Sequence, residues 1–322
     1  MNLSSNGNSS LSGGIGVSCS AARRLLAFIG GTFLVLTLLV QRPSRGYAAS
    51  STPAPQSTNP IAEYFLDWAP RVTRIQSEQP AWISPLVTVN PCLLQQLRYD
   101  QLWQSQQHGV ASDNFGDSKG IELIPWENIG VILGIPAWIA RTGTLQPPIR
   151  TSTPPTNGWA DETFLIKCRL LSSNAEHGNY IVTAFMGFSA PTGDNGNSSG
   201  HAIFTPTLAF GKGFGDFDLQ STLGISLPNG ALARLGMPVA YNTAFQYRIM
   251  KYFWPQFEVN YSWWPNGQRE GESQVFLTPG LIVGAIRIHD GIGIALGGGY
   301  QVAVTKEPAY NHAVIFSARL LF

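Results

Sequence analysis

The sequence predicts an all-β chain: a transmembrane antiparallel outer-membrane β-barrel of about 12 strands. Three observations point there. The final residues, His312 to Phe322, read HAVIFSARLLF, with His312, Val314, Phe316, Ala318, Leu320 and Phe322 on one parity and Ser317 and Arg319 on the other. That is a strand with one lipid-compatible face and one wetter face. Charged residues make up only 12% of the chain, against about 25% in a typical soluble domain, and there are 34 glycines. Finally, the connections between period-2 segments alternate between short and long.

The elements are justified from the N-terminus onward. Arg23 and Arg24 precede an apolar run from Leu25 to Val40, and Gly46-Tyr47-Ala48 supplies small residues for cleavage. Residues 1–48 therefore read as a secretory signal, with a single membrane anchor as the alternative. Their removal takes away Arg23, Arg24, Arg42 and Arg45 and no acid, moving the formal charge from +1 to −3. Such a chain has no electrostatic reason to bind nucleic acid. Cys92 and Cys168 then remain, too few for a disulfide scaffold.

Residues 49–93 read as a linker followed by a periplasmic or plug-like segment. Ser50 to Pro60 is rich in Ser, Thr, Pro and Ala. Ile61 to Trp68 fits two helical turns, and Pro70, Pro80, Pro85 and Pro91 keep the next stretch of chain from forming a long helix.

Residues 94–322 are the expected barrel. Strands are expected at 94–106, 119–126, 129–138, 161–172, 178–190, 201–211, 216–227, 237–250, 252–262, 273–286, 289–302 and 312–322, with ten or fourteen as the alternatives if 94–138 reads differently. Parity is clearest where Phe217, Leu219, Leu223 and Ile225 oppose Asp218, Gln220, Thr222 and Gly224. Short junctions at 127–128, 175–177, 212–215, 251 and 287–288 alternate with long ones, including 107–118 and 139–160. Both chain ends then fall on one side, expected to be the periplasm. Trp254, Tyr261, Trp263, Trp264, Tyr300 and Tyr310 fit aromatic girdles, although each suits a core equally well. Pro206, Pro255 and Pro279 mark either bulges or simple curvature of the wall.

Residues 117 to 322 resemble an outer-membrane transporter family associated with the meta-pathway of phenol degradation. The resemblance rests on an ordered set: GIELIPWENIGVILGIP (Gly120 to Pro136), FLIKCRLLSSNAEHGNYIVTAFMGFSAPTG (Phe164 to Gly193), TPTLAFGKGFGDFDLQSTLGISLP (Thr205 to Pro228), NTAFQYRIMKYFWPQFEVN (Asn242 to Asn260) and QVFLTPGLIVG (Gln274 to Gly284), with LRYD (Leu97 to Asp100) upstream. It implies a barrel that moves hydrophobic or aromatic compounds, and it supplies no catalytic residue.

No enzymatic signature is present: there is no GxSxG elbow and no phosphate loop, and Gly297-Gly298-Gly299 lies inside an expected strand, where close packing or curvature suffices. The five histidines have no zinc-ligand spacing. The chain is expected not to be an enzyme and to need no cofactor or metal. The informative residues are charges on the inward parities: Arg98, Asp100, Glu122, Lys167, Arg169, Arg248, Glu258 and Arg319. A charge facing hydrocarbon is costly, so these should line the lumen. Two accounts stay open there: an ion-pair network that braces and blocks the barrel, or a polar constriction that selects solutes. The expected function is passive uptake of small molecules, hydrophobic or aromatic ones among them; the alternative is a structural or adhesive barrel with ligand-binding external loops. Expected partners are outer-membrane lipid, small solutes, and the assembly machinery through a last strand ending in Phe322.

Overall fold

Residues 59–105, 110–143, 156–194, 196–289, 291–306 and 308–322 are described by the structure, a computed structural model. The expected signal and most of the Ser/Thr/Pro linker lie outside them. Two helices open the described chain: α1 (Pro60–Leu66) and α2 (Trp68–Ser77). Asn59 caps α1 by accepting the Ile61 N–H at 3.0 Å. Pro70 stands in the first turn of α2, where its missing N–H costs nothing, so this proline begins a helix rather than ending one.

Sixteen strands come after them: β1 (Gln96–Ser105), β2 (Val110–Gly116), β3 (Gly120–Trp126), β4 (Ile129–Gly134), β5 (Trp138–Gly143), β6 (Gly158–Trp159), β7 (Glu162–Ser173), β8 (Tyr180–Ala190), β9 (Ile203–Phe214), β10 (Phe217–Ile225), β11 (Leu227–Pro228), β12 (Val239–Tyr247), β13 (Phe253–Trp263), β14 (Ser273–His289), β15 (Ile292–Ala303) and β16 (His312–Leu321). A one-turn helix, α3 (Leu232–Leu235), sits before β12. Four pairs continue one another (β2 with β3, β4 with β5, β6 with β7, β10 with β11), so the wall has twelve antiparallel staves. The ring closes where β1 pairs β16 over ten residues, from Gln96↔Leu321 to Ser105↔His312. Closure leaves no edge strand with unpaired backbone groups.

The breaks within staves have local causes. Asp117 and Ser118 adopt positive φ (46° and 51°) between β2 and β3. Pro136, which has no N–H to give a ladder, separates β4 from β5. Consequently the connections expected at 107–118 and 139–160 are shorter than their sequences suggest, because β2, β5 and β6 occupy parts of them. Polar VASDNFG gives β2 no apolar alternation to reveal it.

Burial is inside-out relative to a soluble sheet. On β10, Asp218, Gln220 and Thr222 are buried while Leu223 is 49% exposed. On β16, Ser317 and Arg319 are buried while Val314 and Phe316 are exposed. Tyr99, Phe164, Ile166, Leu208, Phe257 and Leu296 continue the exposed apolar exterior around the ring. This is the distribution expected of a wall solvated by lipid outside and by polar groups inside. Among the described residues no helix is long and apolar enough to cross a membrane.

Several expectations are corrected. The last strand ends at Leu321, not at Phe322. The ladder runs out there because Leu321 already faces Gln96 on β1 and Gly293 on β15, the last pairs on both sides. Phe322 makes only a 3.2 Å N–H contact to the Gln95 carbonyl. The expectation of a last strand that ends in Phe322 and is read there by assembly machinery is therefore not met. Trp254 and Tyr310 are not girdle residues: Trp254 is buried with Ile83, Leu86 and Ile282, and Tyr310 stacks on Phe276 at 4.6 Å. Pro206, Pro255 and Pro279 sit in continuous register, while the bulges of β14 lie between Val283 and His289. Cys92 and Cys168 are both free thiols.

Candidate functional site

The five short connections and the start of β1 and end of β16 share one end of the barrel, called the turn end here; the long connections occupy the loop end. Between α2 and β1, residues 79–95 have no regular secondary structure, so their backbone groups need partners elsewhere. Some are local. The Gln79 side chain donates to the Leu93 carbonyl at 2.7 Å and accepts the Leu93 N–H at 3.0 Å, closing the segment into a loop. Asn90 accepts the Cys92 N–H at 2.6 Å.

The rest come from the wall. Glu258 on β13 accepts three successive N–H groups, from Leu86 (2.8 Å), Val87 (2.9 Å) and Thr88 (2.6 Å). Arg98 on β1 donates to the Leu86 carbonyl. Arg319 on β16 donates to the carbonyls of Ser84 and Pro85. Lys167 on β7 donates to the carbonyls of Asn90 and Cys92. Thr183 on β8 donates to that of Pro91, and Gln220 on β10 to that of Ile83. Leu86 nests in a recess of β14 and β15, where a Cβ added at Gly280 or Gly299 would lie 2.6 Å from its Cδ1. A segment gripped from β1, β7, β8, β10, β13 and β16 at once, and cradled by β14 and β15, lies across the lumen.

The wall charges are arranged around that segment. Lys167 pairs with Glu122 on β3 at 2.6 Å, both nearly fully buried. Arg98 pairs with Asp100 at 2.7 Å. Arg98 and Arg319 face each other across the closing seam. Two like charges in register repel; here Asp100 and the Ser84, Pro85 and Leu86 carbonyls spread over both guanidinium groups. Arg169 donates to the Ile75 carbonyl and pairs with Glu78 at 3.2 Å, tying α2 to β7. Arg248 departs from the expected set. β12 ends at Tyr247, so Arg248 sits on the turn-end rim, partly exposed and 2.7 Å from Asp216.

Towards the loop end the lumen is filled by amides and hydroxyls: Asn260 donates to Asn242 at 3.1 Å, and Gln301 donates to Asn260 and Thr278. Thr183, Gln220 and Gly280 do not stand out in the sequence, whereas Gly299 belongs to the Gly297-Gly298-Gly299 run, and Leu86 supplies the close packing there. Period-2 parity places them inward, but nothing local says that a lumen segment meets them. Two cavities flank the segment, of about 190 Å³ and about 50 Å³.

No family model matches the sequence, and no curated protein matches it. Among solved structures, the chain is similar to an outer membrane channel from Pseudomonas putida F1, with a TM-score of 0.50 and 12% identity over 75% of this chain and 100% of that one. A KdgM porin aligns with a TM-score of 0.40 and 8% identity, over 70% of this chain and 99% of the porin. At these identities the likeness concerns the fold, and it rests on the first alignment. The resemblance to the phenol-degradation family thus stands only at the coarser level of an outer-membrane-channel fold.

Proposed function

We propose that this protein is an outer-membrane channel for passive entry of small solutes, held closed by residues 79–95. The observation that carries this reading is the ring of wall side chains converging on the lumen segment. A purely structural barrel could fill its interior with its own side chains. Here the wall instead spends buried charge on a separate, irregular stretch of chain that can leave without breaking a strand. In this reading the turn end, with α1 and α2, faces the periplasm, and the apolar exterior sits in the outer membrane. The solutes are hydrophobic or aromatic compounds, a choice supported by the resemblance alone.

The test is single-channel recording of detergent-folded protein, checked for heat-dependent gel mobility, alongside a variant with Glu258→Gln and Arg98→Ala. The variant should open more often than the parent, in discrete steps. Two folded proteins that both stay electrically silent would sink the channel reading.

A further inference from the structure

The larger cavity, of about 190 Å³, lies at the turn end between residues 81–84 and the wall. Trp82, Ile83, Leu94 and Trp254 form its apolar side. Arg248, Lys251 and Arg319 form its charged side, and no aspartate or glutamate lines it. Its volume is on the scale of the ~150 Å³ engineered cavity that accepts one benzene.

Two polar atoms of its lining residues lack a hydrogen-bond partner, Trp254 Nε1–H and Gln96 Oε1, and Arg319 is hydrogen-bonded without a counter-charge. Arg319 is 3% exposed, and its donors reach Ser317 Oγ and the Ser84 and Pro85 carbonyls. Among the described residues no carboxylate lies within ion-pair distance of it. Trp254 is 5% exposed, and its Nε1–H has no hydrogen-bond partner. A buried indole N–H usually finds one. Arg248 adds a third donor at the mouth, with its guanidinium carbon 5.8 Å from the Trp254 ring centroid. Its Nε and one terminal nitrogen are committed to Asp216 at the rim. The lining therefore presents flat apolar surface, surplus positive charge, an unused indole donor and one unused amide acceptor on Gln96, and no carboxylate of its own.

We propose that this cavity binds a small aromatic monocarboxylate. Its ring packs between Trp82 and Trp254, and its carboxylate is directed to Arg248, Lys251, Arg319 and the Trp254 indole. An inorganic anion would leave the aromatic walls unfilled, and a neutral arene would leave the cations unmatched. Binding here goes beyond the channel reading and does not depend on it, since a barrel that never conducts can still hold the ligand.

Isothermal titration of the folded full chain with benzoate, benzyl alcohol and acetate tests it. Benzoate should bind one site at least ~10-fold more tightly than either comparator, as expected when a hydrogen bond to a charged group is added to ring burial. Trp254→Phe, which keeps the ring and removes the N–H, should weaken benzoate ~10-fold. The rim variant Arg248→Gln/Lys251→Gln should weaken it and flatten its salt dependence. No benzoate binding, or equal binding of benzoate and benzyl alcohol, overturns the proposal. So does benzoate binding that is unchanged in both variants.

Discussion

Glu258 accepts three consecutive N–H groups of the lumen segment and a fourth bond from Gln256 at 2.7 Å. Glu258→Gln keeps the shape and removes the charge. Each hydrogen bond to a charged group contributes roughly 1.5–3 kcal/mol, and a neutral one roughly 1 kcal/mol. In the better of its two orientations, glutamine keeps an oxygen facing Leu86 and Val87 and turns its NH₂ towards the Thr88 N–H. The two bonds to the segment and the one from Gln256 then weaken, and one buried donor of the segment faces another donor, a loss of about 3–5 kcal/mol in holding the segment. Taking the lower figure, the population with the segment released should rise roughly 100-fold. Cys92 reports this directly, because it lies in the segment and is fully buried. In a protein carrying Cys19→Ser and Cys168→Ser, maleimide modification of Cys92 should accelerate roughly 100-fold on Glu258→Gln when opening is in rapid equilibrium. A folded variant whose Cys92 reacts at the parent rate would refute the idea that this carboxylate holds the lumen closed.

The same contacts predict further outcomes. Gly299→Ala places a Cβ against Leu86 and should destabilise by about 1–3 kcal/mol; adding Leu86→Ala should recover part of that in denaturant melts, whereas strictly additive losses would count against the recess. Lys167→Met leaves Glu122 buried and unpaired and should cost about 3–5 kcal/mol, with Glu122→Gln in the same chain restoring a measurable share. At the loop end, burial disfavours the Asp161 carboxylate, but hydrogen bonds from Ser198, Ser199 and Gly193 prevail and hold its carboxyl below the usual range. Its contribution is therefore present above pH ~4 and lost as pH falls through the lower folded value. The protection of amides 196–200 against hydrogen exchange, taken relative to the intrinsic rate at each pH, should fall over that acid window, and Asp161→Asn should remove the dependence.

The wall is legible in the sequence because a half-lipid, half-polar strand writes its orientation into every second residue. Phe217 to Ile225 and His312 to Leu321 show this best, and the alternation of short and long junctions yields twelve staves. Where a stave is polar on both faces, as at Val110–Gly116, the signal vanishes and a strand reads as loop. Arg248 looks inward by parity, but β12 ends one residue earlier, and parity has no meaning past a strand end. The lumen segment is the least legible part. Its prolines exclude a long helix, yet its partners are single side chains scattered from Arg98 to Arg319, a pattern that no window of sequence contains. Trp254 shows the same limit: it shares the parity of Gln256 and Glu258, while its aromatic character suggests the rim.

The lumen segment runs directly into β1, and β1 is one side of the seam that closes the ring with β16. Arg98 and Arg319, facing each other on that seam, both hold the carbonyls of residues 84–86. Seating of the segment and closure of the seam therefore share the same two arginines. If the first and last strands joined while residues 79–95 were still outside, the segment would have to enter a finished cylinder from its end, and the two arginines would meet without the carbonyls that separate their charge. Joining strands so far apart in sequence already carries the largest loop-closure cost in the fold. Coupling that step to seating of the segment makes the contacts that seal the seam the same ones that shut the lumen.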